Sequence, residues 1–106
     1  MAENIIELNN DDFDSFVAKG NSVVDFWATW CGPCKIMAPH FEAAAKEFKG
    51  KVHFAKVNIE ESYELADKFH IMSVPTTVFF KNGEIVEMAV GALSKEKIIE
   101  LVKNSF

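Results

Sequence analysis

The pattern of apolar residues predicts an α/β fold of three layers, a central mixed sheet of about five strands flanked by four helices. Three observations carry that reading. Strand-like and helix-like segments follow in the order βαβαβαββα, an alternation that implies a parallel core with helices on both faces. The segment from Ser22 to Ala28 is an almost continuous apolar run, as expected of a strand covered on both sides. Asn82-Gly83 separates two strand-like runs and marks a tight hairpin, which adds antiparallel strands.

Each element has its own signal. Ile5-Ile6-Glu7-Leu8 reads as a short first strand. Asn10 or Asp11 is expected to cap a helix with Phe13, Phe16 and Val17 inward, closed by Gly20. After the buried strand, Cys31 to Phe48 carries a helical stripe of Cys34, Met37, Phe41, Ala44, Ala45 and Phe48. Pro39 should kink this helix, because it leaves the Lys35 carbonyl without a partner. Gly50 ends it, and Val52 to Asn58 is the third strand. Glu60 to Phe69 reads as a short helix with Leu65, Ala66 and Phe69 inward. Thr76 to Lys81 and Glu84 to Val90 form the hairpin around a type I′ turn. Ser94 caps a last helix that buries Ile98, Leu101 and Val102, with Glu96 in its positive first turn.

Composition removes several function classes. A chain of 106 residues suits one compact domain, and no linker, repeat or biased segment divides it. Hydrophobic residues at 49% against 25% charged place it among globular chains rather than disordered ones. Lys and Arg number 11 against 16 Asp and Glu, a net −5 that argues against nucleic-acid binding and against a polybasic membrane anchor. No apolar run approaches the ~18 residues that cross a bilayer. Met1-Ala2-Glu3-Asn4 lacks the basic and apolar regions of a signal peptide, so the cytoplasm is the expected location.

The two cysteines, Cys31 and Cys34, enclose Gly32-Pro33 where the buried strand gives way to the long helix. A helix N-terminus offers unpaired N–H groups and a partial positive charge, which favour thiolate over thiol. Cys31 is expected to benefit, as the first exposed position, while Cys34 lies one turn in, on the core-facing stripe. Residues three apart on a helix are neighbours, so the two sulfurs can join with little backbone movement. Thiol–disulfide exchange follows: Cys31 attacks a client disulfide, and Cys34 resolves the mixed disulfide. Pro33 is tolerated in the first helical turn and stiffens the pair. A zinc site is the competing use of two close cysteines. It would need a second ligand pair, and His40, His53 and His70 supply none at motif spacing; His40 reads as buried on the helix.

Two charges sit in apolar patterns. Asp25 alternates with Val23 and Trp27, and Lys56 shares a strand face with Val52 and Phe54. A buried carboxylate must pair or hold its proton more tightly. Asp25 and Lys56 are expected to meet on adjacent strands beneath the Cys34 end of the helix. There Asp25 would relay a proton to or from Cys34 and Lys56 would tune it, the alternative being a structural pair or a lysine that reaches outward.

Trp27-Ala28-Thr29-Trp30-Cys31-Gly32-Pro33-Cys34-Lys35 closely resembles the active-site segment of the thioredoxin family. The likeness extends along nearly the whole chain. It takes in Asp25-Phe26-Trp27, Pro39, Lys56-Val57-Asn58, Val74-Pro75-Thr76, Phe80-Lys81-Asn82-Gly83 and Val90-Gly91-Ala92. The resemblance implies a single thioredoxin domain over residues 1–106, a nucleophilic Cys31, a resolving Cys34 and a cis Val74-Pro75 bond. It further implies a flat apolar docking surface made of Trp30, Gly32, Pro33, Val74, Pro75, Gly91 and Ala92, with Val74 backbone pairing to an extended client. Trp30 could instead simply pack on the helix start. The implied activity is that of a monomeric protein-disulfide reductase without a bound cofactor. Its partners would be client disulfides and a thioredoxin reductase. An oxidase or isomerase of the same fold and a non-catalytic binding module are the alternatives; Gly32-Pro33 argues against the former, whose members usually carry histidine there. Met72, Ser73 and His40 depart from the family pattern and bear on which clients fit.

Overall fold

A computed structural model describes residues 4–106. Met1 to Glu3, part of the stretch read for signal character, lie outside the described residues. The elements are β1 (Ile5–Leu8), α1 (Phe13–Val17), β2 (Asn21–Trp27), α2 (Gly32–Glu47), β3 (His53–Asn58), α3 (Tyr63–Lys68), β4 (Thr76–Lys81), β5 (Glu84–Val90) and α4 (Lys95–Ser105). The five strands form one sheet in the order β1-β3-β2-β4-β5. β3 runs parallel to both β1 and β2, whereas β4 is antiparallel to β2 and β5. This is the mixed sheet that the alternation and the hairpin predict.

Alternate residues of the strands feed two cores, as the two-residue repeat of a pleated strand requires. On one face Val23, Phe54 and Phe79 pack against Met37, Phe41, Ala44 and Ala45 of α2 and Ile98 and Val102 of α4. On the other, Val24, Phe26, Ala55, Val57, Val78 and Phe80 pack against Phe13 and Val17 of α1 and Leu65 of α3. Phe13 is the hub of that second core. Its ring centroid lies 6.3 Å from Phe26, 5.3 Å from Phe69 and 5.6 Å from Phe80. Phe16 and Leu101, expected inward, are only half-buried at the rims of their cores.

Two helix starts differ from expectation, each because a side chain closes a turn first. Ahead of α1 the cap position falls on Asp12, not on Asn10 or Asp11. Asn9 Oδ1 accepts from Asp11 N at 2.8 Å, and Asp12 Oδ1 turns back to accept from Asn9 N at 2.7 Å. The turn thus occupies the Asp12 side chain, which makes no cap bond to α1, while Asn10 Nδ2 donates to Glu64 instead. α3 begins at Tyr63 rather than Glu60, because Asn58 holds the intervening residues in a turn. Its carbonyl accepts from Glu61 N and Ser62 N, and its Oδ1 accepts from Glu60 N.

The hairpin and the last cap agree with the sequence. Asn82 (φ 49°) and Gly83 (φ 86°) both take the positive φ of a type I′ turn. Asn82 also ties the hairpin to the end of the first helical segment: its N–H donates to Gly20 O at 2.8 Å, and its Oδ1 accepts from Gly20 N at 2.9 Å. Ser94 Oγ accepts from Lys97 N at 3.1 Å at the start of α4. Ser94→Ala should therefore lower stability by about 1 kcal/mol. Phe13→Ala, which empties the centre of an aromatic core, should cost about 3–5 kcal/mol. Urea unfolding checks both: the midpoints should fall in that order at an unchanged slope.

Candidate active site

The buried strand β2 carries the chain up through the sheet to Trp27 and Ala28, where it turns over Thr29 and Trp30 into α2. Cys31 stands at the cap of α2 with extended backbone (φ −88°, ψ 111°), and its N–H donates to Ala28 O at 3.3 Å. Pro33 occupies the first turn, where no backbone donor is needed. Cys31 and Cys34 are joined as a disulfide, their Cα atoms 5.3 Å apart. The Cys34 N–H donates to Cys31 Sγ at 3.2 Å. Sulfur therefore takes the place that a serine or aspartate oxygen fills at an ordinary helix cap. The same N–H and the positive end of α2 face Cys31 Sγ, an arrangement of the kind that favours a thiolate.

The expectation that Cys31 is the exposed member of the pair does not hold in this oxidised form. Cys31 is 4% exposed and Cys34 5%, because Ala28, Trp27, Ile59 and Val74 close around the bond. Position on the helix, not exposure, separates the two sulfurs: one accepts the cap bond, and the other lies a turn inside. Pro39 lies exposed within α2, which runs on to Glu47.

Loops from distant parts of the sequence complete the rim. The Val74-Pro75 bond is cis, and Val74 O lies 3.6 Å from Cys31 Sγ. Gly91, with φ 100°, donates its N–H to Pro75 O at 2.8 Å, which brings Gly91-Ala92 to the same rim. Trp30 is 68% exposed and Met72 92%. Pro75 itself is buried. Its ring is therefore not part of a surface, and its carbonyl holds Gly91.

Asp25 is 1% exposed, on the face of β2 between Val23 and Trp27. Burial pushes its carboxyl up to about 7, against the pull of Lys56 and with a smaller push from Glu7. Asp25 and Lys56 are register partners on β2 and β3, as expected, yet no ion pair joins them among the described residues. Lys56 Nζ lies instead over the Trp27 ring, 5.5 Å from its centroid, and Asp25 Oδ1 has no hydrogen-bond partner. The aromatic face and the solvent beyond it hold the ammonium more cheaply than a buried contact would.

Three contributors escaped the sequence reading. Glu60 accepts from both Thr29 N (2.8 Å) and Thr29 Oγ1 (2.7 Å), clamping the turn that presents Trp30 and Cys31. These bonds, the backbone one foremost, hold the Glu60 carboxyl below its ordinary value. Ile59 packs on the disulfide, and Glu7 lies in register with Lys56 on β1. Glu60 and Thr29 are 31 residues apart with no motif between them, so only the fold joins them. His40, expected to be buried, is exposed and accepts from Lys95 N at 3.4 Å through Nδ1, linking α2 to the start of α4. Among the described residues no group of three or more His, Cys, Asp and Glu is placed to hold a metal ion. No described helix is long and apolar enough to cross a membrane.

A family model described as thioredoxin matches residues 4–104. The chain belongs to the thioredoxin family. A Staphylococcus saprophyticus protein named thioredoxin is 41% identical over 99 residues, spanning 93% of this chain and 95% of that one. Proteins of the same name from Staphylococcus epidermidis and Staphylococcus aureus are each 43% identical over 98 residues, 92% of this chain and 94% of theirs. Together with the bonded Cys31–Cys34 pair, these matches make this family member a protein-disulfide oxidoreductase.

The buried acid carries a stability signature. Folded, Asp25 keeps its proton to about pH 7; unfolded, it ionises near 3.8. Between those values the unfolded chain binds fewer protons, so stability falls as pH rises, and the cost is complete above pH 7. Asp25→Ala should gain on the wild type by roughly 2–4 kcal/mol at about pH 8 relative to about pH 4. Urea unfolding of the oxidised protein at the two pH values tests this; a mutant-to-wild-type difference that ignores pH would mean an acid of ordinary affinity.

Proposed function

We propose that the protein is a cytoplasmic, monomeric disulfide reductase of broad protein specificity, recharged by a separate thioredoxin reductase. The single observation that supports this most directly is the cap geometry, in which Cys34 N–H donates to the sulfur of Cys31. It sets one sulfur at the positive end of α2, which favours its thiolate, and leaves the other one turn inside.

The reaction follows from that asymmetry. The Cys31 thiolate attacks one sulfur of a client disulfide; the client's other sulfur leaves as a thiolate and takes a proton. Cys34 then loses its proton and attacks Cys31 Sγ. The Cys31–client bond breaks, the client leaves with both sulfurs reduced, and Cys31–Cys34 carries the two electron equivalents of oxidation. The dithiol is itself the two-electron carrier, so the chemistry calls for no bound cofactor. Asp25, with a proton affinity near neutrality, is suited to take the proton from Cys34, and Lys56 tunes it through space.

Client binding is assigned to Trp30, Gly32, Pro33, Val74, Gly91 and Ala92, with Pro75 fixing the backbone beneath them. Among the described residues Val74 N–H has no backbone partner, which leaves it free for an extended client segment. Trp30 supplies a large apolar face beside the sulfur. An oxidising role would ask for a pair that prefers the reduced state, and Gly32-Pro33 offers no cation to stabilise a thiolate further.

Insulin reduction driven by dithiothreitol, followed by coupling to candidate reductases, tests the proposal. Cys31→Ser should abolish turnover, and Cys34→Ser should accumulate a client-linked mixed disulfide on denaturing gels. A Cys31→Ser protein that keeps its biological activity would point to a binding module instead, and a strongly oxidising pair in glutathione equilibrium to an oxidase. Asp25→Ala should slow resolution by about tenfold or more; rates equal to wild type from about pH 6 to 9 would remove Asp25 from the proton path.

A further inference from the structure

Glu7, Lys56 and Asp25 occupy one level of three neighbouring strands. Glu7 is the register partner of Lys56 across β1 and β3, and Lys56 that of Asp25 across β3 and β2. All three project toward α2. Each follows by two residues a side chain of the core beneath that helix, namely Ile5, Phe54 and Val23. One cation therefore stands between two carboxylates. One carboxylate is buried with an unpartnered oxygen, and the other is exposed on the edge strand.

Lys56 commits to neither. Its Nζ lies over the Trp27 ring, and among the described residues it makes no ion pair with either acid. Partial burial of its carboxyl by the neighbouring elements raises Glu7 above its usual value even on the exposed edge, the Lys56 charge pulls it back, and Glu61 and the Trp27 indole act more weakly. Asp25 feels Lys56 and Glu7 with opposite signs. With strands about 4.8 Å apart, the backbones of Glu7 and Asp25 stand about 10 Å from each other and that of Lys56 about half that from each, so all three charges share one neighbourhood. At such distances partial screening still leaves a coupling that proton affinities can register.

We propose that Glu7 is a positioning residue for the buried acid, its edge-strand carboxylate competing with Asp25 for the Lys56 ammonium and so controlling how readily Asp25 exchanges a proton with Cys34. The inference rests on the assignment of Asp25 as the proton partner of Cys34. Neutralising Glu7 removes a repelling charge and frees Lys56 to favour ionised Asp25, so the Asp25 midpoint moves down.

Carbon-13 NMR titration of the Asp25 carboxyl tests this directly, in the full chain and in both redox forms. Glu7→Gln should lower the Asp25 midpoint by about half a pH unit. Glu7→Asp, which keeps the charge, should restore it. In a Lys56→Gln background the Glu7→Gln shift should shrink, because only direct repulsion remains. A midpoint that stays or rises in Glu7→Gln overturns the proposal, and a shift of full size without Lys56 overturns the competition. The pH profile of insulin reduction, recorded in parallel, should move with the Asp25 midpoint. If the carboxyl shifts and the rate profile does not, the coupling of Glu7 to Asp25 stands and the assignment of Asp25 to Cys34 fails.

Discussion

A sulfur atom at the cap of a helix is the constraint around which this molecule is organised. Cys34 N–H donates to Cys31 Sγ, in a position where an oxygen would ordinarily satisfy one of the orphan donors of α2. That geometry needs the chain to leave a buried strand and enter a helix within four residues, Ala28 to Cys31. The long apolar run of β2 and the sixteen-residue helix that follows it make this possible. The rest of the rim is held to the same point. Glu60 clamps Thr29 from one side, and the cis Val74-Pro75 segment, tied to Gly91, closes from the other.

The buried Asp25 carries a cost in stability. Asp25 lies on the sheet face whose Val23 and Phe54 pack against Met37 and Phe41 of α2, and nothing hydrogen-bonds its Oδ1. An aliphatic residue there would be the choice of a sequence shaped only for folding. The two aromatic and aliphatic cores, anchored on Phe13 and on Phe41 with Phe54, are extensive enough to carry that cost. Perturbed acids of this kind gather where protons must move near neutral pH. Lys56 and Glu7 stand level with Asp25 on the next two strands of the sheet, and their charges act on its carboxyl in opposite directions.

The sheet and the dithiol were legible because they rest on local chemistry. Period-two and 3.6-residue repeats name the faces of β2 and α2, and Asn82-Gly83 demands the positive φ of a type I′ turn. Cys31 and Cys34 are neighbours at any helix start. The misreadings have a shared cause as well. At Asn9, Asp12 and Asn58 short polar side chains close turns against nearby N–H groups, and the period of apolar residues does not record that choice. His40 was misplaced because an exposed position beside Pro39 looks, in one dimension, like part of the buried stripe.

By itself the sequence determined the order of elements, the buried strand that delivers the cysteines, and the family likeness that points to disulfide chemistry. Tertiary structure alone decided what surrounds the sulfurs. Glu60 meets Thr29, Val74 O meets Cys31 and Glu7 stands level with Lys56 only because strands distant in the chain are held side by side in one register. It also decided that Lys56 faces Trp27 rather than Asp25. Local propensities act over a turn or a pair of alternating residues; the balance of burial, repulsion and screening around a charge depends on every element packed against it.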